Sequence, residues 1–178
     1  VELGSIAEIG NGSTPSRKHE GYWQNGVFPW LSSGKIRDRV VVEADEYISG
    51  EAVERYASCI FPAGSVLVAM IGQGTTRGMA AYLTLDACIN QNLAAIVPSD
   101  AIDGWYLFYC LDSSYERLRA WSHGSNQGAL NCELLRHFPV PLPSLARQVE
   151  LACILRSVDA AADHTRSHAN KLAELAAG

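Results

Sequence analysis

Up to about residue 143, apolar residues come in short runs, each ended by glycine, proline or a polar cluster. Beyond that point they recur at helical spacing. Residues 27–31 form one run, and Val40-Val41-Val42 opens a second that stops at Ser49-Gly50. Residues 65–71, bounded by Gly64 and Gly72, are the strongest strand candidate, and 80–85 and 92–97 supply two more. Strands this short, separated by turns, predict a mixed or antiparallel sheet that curls, not a doubly wound parallel one. Helices are predicted between them, over 51–57, over 102–111 with an aromatic-rich apolar face, over 115–121 capped by Ser113 or Ser114, and over 132–137 capped by Asn131. The predicted fold class is therefore α+β, with a curled mixed or antiparallel β-rich domain over residues 1–143.

Pro139, Pro141 and Pro143 then alternate in an extended edge segment or linker, because proline cannot donate to a β ladder. Ser144 opens a long helix. Along it Leu151, Leu155, Val158, Ala162, Thr165, Ala169, Leu172 and Ala176 follow in alternating steps of 4 and 3, a heptad seam. A helix lying on its own domain is the alternative, but a narrow seam sustained over about four heptads favours a partner helix. The small residues at its centre imply that such a pair needs contact from elsewhere as well. Residues 144–178 are accordingly predicted to be a spacer or dimerisation helix of coiled-coil type.

Composition narrows the class without redirecting it. Apolar residues are 48% and charged residues 19% of the 178, which excludes disordered and collagen-like chains. No apolar run approaches the roughly 18 residues of a membrane span. The start, Val1-Glu2-Leu3-Gly4, lacks the basic-then-apolar order of a secretion signal, and the missing initiator Met fits a processed or excised piece. Cys59, Cys88, Cys110, Cys132 and Cys153 are odd in number and never spaced CxxC, as expected of small buried thiols in a reducing cytoplasm. The net charge of −5 argues against a general nucleic-acid coat, though not against a local basic patch. Between Ser13 and Arg39 five Lys/Arg stand against Glu20 and Asp38. Tyr22, Trp23 and Trp30 interleave with that cluster, more in the manner of core residues than of base-stacking platforms.

Candidate chemistry points to binding. Gly72-Gln73-Gly74-Thr75-Thr76-Arg77-Gly78 is neither GxxxxGK[ST] nor GxGxxG. It is either a Gly-rich hairpin connection or a loop whose backbone can approach DNA, and a hairpin can be both. Gln73 could pair bidentately with adenine and Arg77 with guanine, with Thr75 and Thr76 as further donors. The amides of Asn90 and Asn92 are expected to bond locally to the backbone, whereas Gln127, after Gly124-Ser125, is the better reader. No acid stands two residues before Lys18, Lys35 or Lys171, and HExxH, GxSxG and Asn/Asp-Pro-Pro-aromatic stretches are absent, so no catalytic residue is expected. His164 and His168 share a helix face but have no evident third ligand, and no metal site is expected.

Taken together, Thr14-Pro15-Ser16-Arg17, Tyr22-Trp23, Pro29-Trp30-Leu31-Ser32-Ser33-Gly34-Lys35-Ile36, Ile60 to Leu67, Gly72 to Gly78, Ile89-Asn90-Gln91-Asn92, Asn126-Gln127 and Phe138 to Leu145 with Gln148 resemble type I restriction-modification specificity subunits. The resemblance implies a non-catalytic target-recognition domain followed by one helix of an antiparallel coiled coil that acts as a ruler between half-sites. It implies double-stranded DNA, a modification (methyltransferase) subunit and a restriction/translocase subunit as partners in the cytoplasm. S-adenosylmethionine, Mg and ATP would sit on those partners, with no cofactor on this chain. Because the family carries two such domains in tandem, a single one implies a second domain in cis or a homodimer through Leu151, Leu155, Val158, Ala162, Ala169 and Leu172. Expected DNA contacts are Thr14, Ser16, Arg17, Lys18, Ser33, Lys35 and Arg37 in the basic loops, Gln73, Thr75, Thr76 and Arg77 in the glycine loop, and Gln127. A recognition domain from a single-chain restriction-methyltransferase and a protein-interaction module that touches no DNA are the alternatives.

Overall fold

The computed structural model describes residues 1–56, 60–72, 74–121 and 129–177, with side chains to residue 175. In chain order the strands are β1 (Ala7–Asn11), β2 (Phe28–Leu31), β3 (Val40–Val41), β4 (Glu46–Ile48), β5 (Ile60–Phe61), β6 (Val66–Ala69), β7 (Ala80–Leu83), β8 (Ala87–Ile89) and β9 (Leu93–Pro98). The helices are α1 (Gly50–Tyr56), α2 (Gly104–Asp112), α3 (Tyr115–Trp121), α4 (Cys132–Arg136) and α5 (Leu145–Ala177). The mixed pairing expected of short strands is divided between two sheets. One has the order β1-β9-β6-β7-β3 and the other β4-β2-β8-β5. Each contains one parallel pair, β3 with β7 and β2 with β8.

The apolar runs are unbroken because their strands are buried on both faces. Val66, Val68, Ala94 and Ile96 point to one side, where they meet Leu107 and Phe108 of α2, Leu118 of α3 and Leu135 of α4. Leu67, Ala69, Leu93 and Ala95 point to the other, against Leu31, Ala87 and Ile89 of the second sheet. On the outer face of that sheet Trp30 and Cys88 pack on Ala52 of α1. The order of layers is helices, sheet, sheet, helix. Asp103 caps α2 by accepting from the Tyr106 N–H at 2.8 Å, and Asn131 caps α4 as expected, accepting from the Leu134 N–H at 2.8 Å. The Ser113 hydroxyl, a candidate cap for α3, donates instead to the Cys110 carbonyl.

Strands β1, β5 and β8 have no counterpart in the apolar pattern. β1 lies at a sheet edge and reads Ala-Glu-Ile-Gly-Asn, while β8 is three residues long. The proline segment does meet a strand-like partner: the Leu3 N–H donates to the Phe138 carbonyl, the Val140 N–H to the Val1 carbonyl, and Glu2 bridges Pro139.

Helix α5 begins beside the start of α2 and runs alongside it. Its foot is Gln148, which has no solvent exposure. The Gln148 amide accepts from the Asp103 N–H at 2.8 Å and donates to the carbonyls of Pro143 at 2.9 Å and Ala101 at 3.2 Å. Ala152 is buried in the core, Arg156 lies over the Trp105 ring, and Asp159 accepts from the Tyr109 hydroxyl at 2.9 Å. Burial and then this hydrogen bond push the Tyr109 phenol up to about 12. Arg39 bridges Asp159 to Asp112 at the end of α2. Beyond Asp159 every described side chain of the helix is exposed. No helix among the described residues is long and apolar enough to cross a membrane.

Candidate nucleic-acid interface

Strand register brings scattered polar loops to one end of the two sheets. Asn11, the last residue of β1, faces Ala94 near the start of β9. Ala69, the last of β6, faces Leu93. β2 and β8 are parallel, with Leu31 beside Ile89, so they finish at the same end. The loops after β1, β2 and β6 therefore open beside the β8–β9 turn. The Leu130 N–H, donating to the Met70 carbonyl, brings residue 130 there too.

The loop at residues 13–18 is held from beneath by two tryptophans. The Trp30 indole donates to the Ser13 carbonyl at 3.1 Å and the Trp23 indole to the Ser16 carbonyl at 3.2 Å. Trp30 and Tyr22 are buried, as core residues should be, and Trp23 is half-buried. The Arg17 guanidinium stacks 3.5 Å from the Trp23 ring centroid and grips Glu46 with both terminal nitrogens. Hydrogen bonding to Glu46 raises Arg17 further above its ordinary value, against some desolvation, and holds the Glu46 carboxyl below the usual carboxylate range. Thr14 is half-buried and donates to Gln91 of the β8–β9 turn at 2.6 Å. Ser16 and Lys18 are exposed.

After β2 the chain makes a 3-10 turn over Ser33–Asp38. Lys35 is buried there, its ammonium bridging Asp38 at 2.9 Å and Asp45 at 3.0 Å, and hydrogen bonds to these two carboxylates raise it above the ordinary lysine value. Ser33 is half-buried and Arg37 exposed. Arg37 shares a hollow of about 380 Å³ with Thr75, Met79, Asp112 and Tyr115.

The glycine loop is a hairpin connection between β6 and β7, closed by Gly78 N–H donating to the Ala69 carbonyl at 2.9 Å. Gly72 and Gly78 take φ of +139° and +85°, where a side chain would be strained. α3 braces the loop: the Tyr115 hydroxyl donates to the Thr75 carbonyl at 2.7 Å, and Arg119 donates to the carbonyls of Gly74 at 3.0 Å and Arg77 at 3.2 Å. Thr75 is exposed, Thr76 and Arg77 half-buried. Gln73 and Gln127 lie outside the described residues, as does Cys59.

One end of the scaffold thus gathers Thr14, Ser16, Lys18, Ser33 and Arg37 with Thr75, Thr76 and Arg77. Arg17 and Lys35 share that end but already hold carboxylates. Of the acidic partners, Asp38 lies inside the basic cluster, but Asp45 and Glu46 lie just beyond it. Extending the count from Arg39 to Glu46 adds Glu43, Asp45 and Glu46 and cancels the excess of three positive charges. Gln91, named within the Ile89-Asn90-Gln91-Asn92 stretch, is not among the expected DNA contacts. Its neighbours behave as expected, with buried Asn90 accepting from the Asn92 N–H at 3.0 Å, but Gln91 itself is exposed. Among the described residues no group of His, Cys, Asp and Glu could hold a metal ion.

The family model described as "Type I restriction modification DNA specificity domain" matches residues 1–175. The chain belongs to this family. The EcoR124I/EcoR124II specificity subunit of Escherichia coli is 27% identical over 165 residues, which are 89% of this chain and 41% of that one. The MjaIX specificity subunit of Methanocaldococcus jannaschii is 28% identical over 166 residues, 89% of this chain and 37% of the relative. The chain thus spans about two fifths of the curated relatives it matches. Its fold is that of the HsdS subunit from Thermoanaerobacter tengcongensis, with a TM-score of 0.70 at 20% identity over 94% of this chain and 38% of the other. The S subunit from M. genitalium superposes with a TM-score of 0.68 at 14% identity, over 94% and 40%.

Proposed function

We propose that this chain reads one half-site of double-stranded DNA for a type I restriction-modification enzyme and performs no chemistry itself. The observation that carries this is the gathering of the loops after β1, β2 and β6 at one end of a rigid double sheet, in a chain of the specificity-domain family. In this reading Lys18 and Arg37 meet phosphates, with Ser16 and Ser33 as neutral donors. The braced hairpin presents Thr75, Thr76 and Arg77 to base edges, and Gln73 and Gln127 are further readers. Phosphate contacts set the register of the domain and base contacts supply sequence. Arg17 and Lys35 shape their loops through Glu46, Asp38 and Asp45.

Residues 1–143 are the recognition domain and 144–178 the spacer. A modification subunit would supply S-adenosylmethionine chemistry on adenine, and a restriction/translocase subunit would use ATP and Mg. The second half-site would be read by another such domain, in cis or in a second copy joined through α5.

Binding to a matched and to a scrambled duplex tests the division of labour. Lys18→Ala is expected to weaken both alike and to lower the salt slope by about one unit. Arg77→Ala is expected to cost about 1–3 kcal/mol on the matched duplex and little on the scrambled one. Equal losses on both duplexes for Arg77→Ala would refute the reader assignment.

A further inference from the structure

The β8–β9 turn presents one side chain to the loop end while its neighbours are tied into the sheets. Asn90 is buried, with its N–H on the Leu31 carbonyl at 3.0 Å and its side chain on the Asn92 N–H. The Asn92 carbonyl accepts from the Met70 N–H at 2.9 Å. Gln91, between them, is exposed. Its amide is also oriented, because the Thr14 hydroxyl donates to Oε1 at 2.6 Å. Thr14 is in turn held by the approach of Gly12 to Ile89, where even a Cβ would not fit, and by Trp30 on the Ser13 carbonyl.

One lone pair of Oε1 is therefore engaged from the protein side. The other lone pair and the two Nε2 hydrogens, on an exposed side chain, hold no hydrogen bond among the described residues. A donor and an acceptor side by side match adenine in the major groove, where N7 accepts and N6 donates. A glutamine already held in plane loses less side-chain freedom on binding than a free one.

We propose that Gln91 is a specificity-determining residue that reads an adenine of the half-site, with Thr14 as the residue that positions its amide. This rests on the DNA-reading function proposed above and adds a reader outside the glycine hairpin. An alternative role for the pair is a brace that merely joins the loop at residues 13–18 to the turn. A brace would affect all duplexes alike.

The test uses the full chain assembled with its methyltransferase partner and a matched duplex in which each adenine is replaced in turn by 7-deazaadenine, which lacks the N7 acceptor. The wild-type complex is expected to lose about ten- to hundred-fold in affinity at one adenine. Gln91→Ala should bind the unmodified duplex more weakly and lose less than two-fold further at that position. Thr14→Val should shrink the same penalty, and Thr14→Ser should restore it. The proposal is overturned if no adenine shows a penalty in the wild type, or if Gln91→Ala keeps the wild-type penalty at every position. It is overturned equally if both Gln91→Ala and Thr14→Val lower affinity uniformly for matched and scrambled duplexes. Should Gln91→Ala fail to fold, the Thr14→Val and Thr14→Ser pair decides, and an unchanged penalty in both overturns the proposal. A wild-type complex that does not distinguish matched from scrambled duplex would instead sink the DNA-reading function itself.

Discussion

Gly12 has no room for a side chain: a Cβ there would stand 1.7 Å from the carbonyl oxygen of Ile89. The close approach places the loop at residues 13–18 on the end of β8, next to Gln91. Gly12→Ala must push that contact apart and is expected to destabilise the protein by at least about 1–3 kcal/mol, measured by urea unfolding. DNA affinity should fall with it, because Thr14 and Lys18 move with the loop. The glycine is plain in the sequence, but its neighbour is 77 positions away. The same distance hid the Thr14–Gln91 pair. Chemistry that depends on one residue type in one stretch, such as the cap at Asn131 or the buried Asn90, was legible from the chain. The pairing of Arg17 with Glu46 and of Lys35 with Asp45 was not, since it depends on how β2 and β4 fold back on each other.

Elements declared themselves where burial is simple. Strands β6 and β9 are buried on both faces and read as unbroken apolar runs. β1 alternates with polar residues at an edge and shows no apolar run. The long helix shows both cases at once. Its heptad seam was visible in the spacing. Leu151, at the near end, packs against the domain core, and the seam beyond it is left open: Leu155, Val158 and Leu172 are 39%, 59% and 67% exposed. The line that actually docks α5, Gln148, Ala152, Arg156 and Asp159, is mostly polar and gives no apolar stripe. Gln148 is the critical member because its own buried amide satisfies one part-buried N–H and two carbonyls. Gln148→Ala leaves those groups unpaired and is expected to cost about 1–3 kcal/mol or more. Hydrogen exchange should speed up at the Asp103 amide and along the first turns of α5. Wild-type protection at Asp103 in that variant would show that the helix is held by other contacts.

At the scale of the whole molecule, two properties call for a partner. The chain carries −5 overall, and the positive loops are largely neutralised by their own acids, so a single domain should bind DNA weakly. The final stretch of α5, residues 160–175, continues about 24 Å past Asp159 with all its side chains exposed. A pairing helix on the open seam would meet both needs by bringing a second recognition domain to the same duplex. Val158→Asp is then expected to abolish self-association or pairing with a second domain in sedimentation, while leaving the unfolding of the recognition domain nearly unchanged. The central claim is that these gathered loops choose where adenine is methylated. Single-molecule sequencing of adenine methylation in host cells with and without the gene tests it most directly. The expected result is a two-part motif present only with the gene, one half of which changes when Arg77 and Gln91 are replaced. Identical methylation patterns with and without the gene would contradict it.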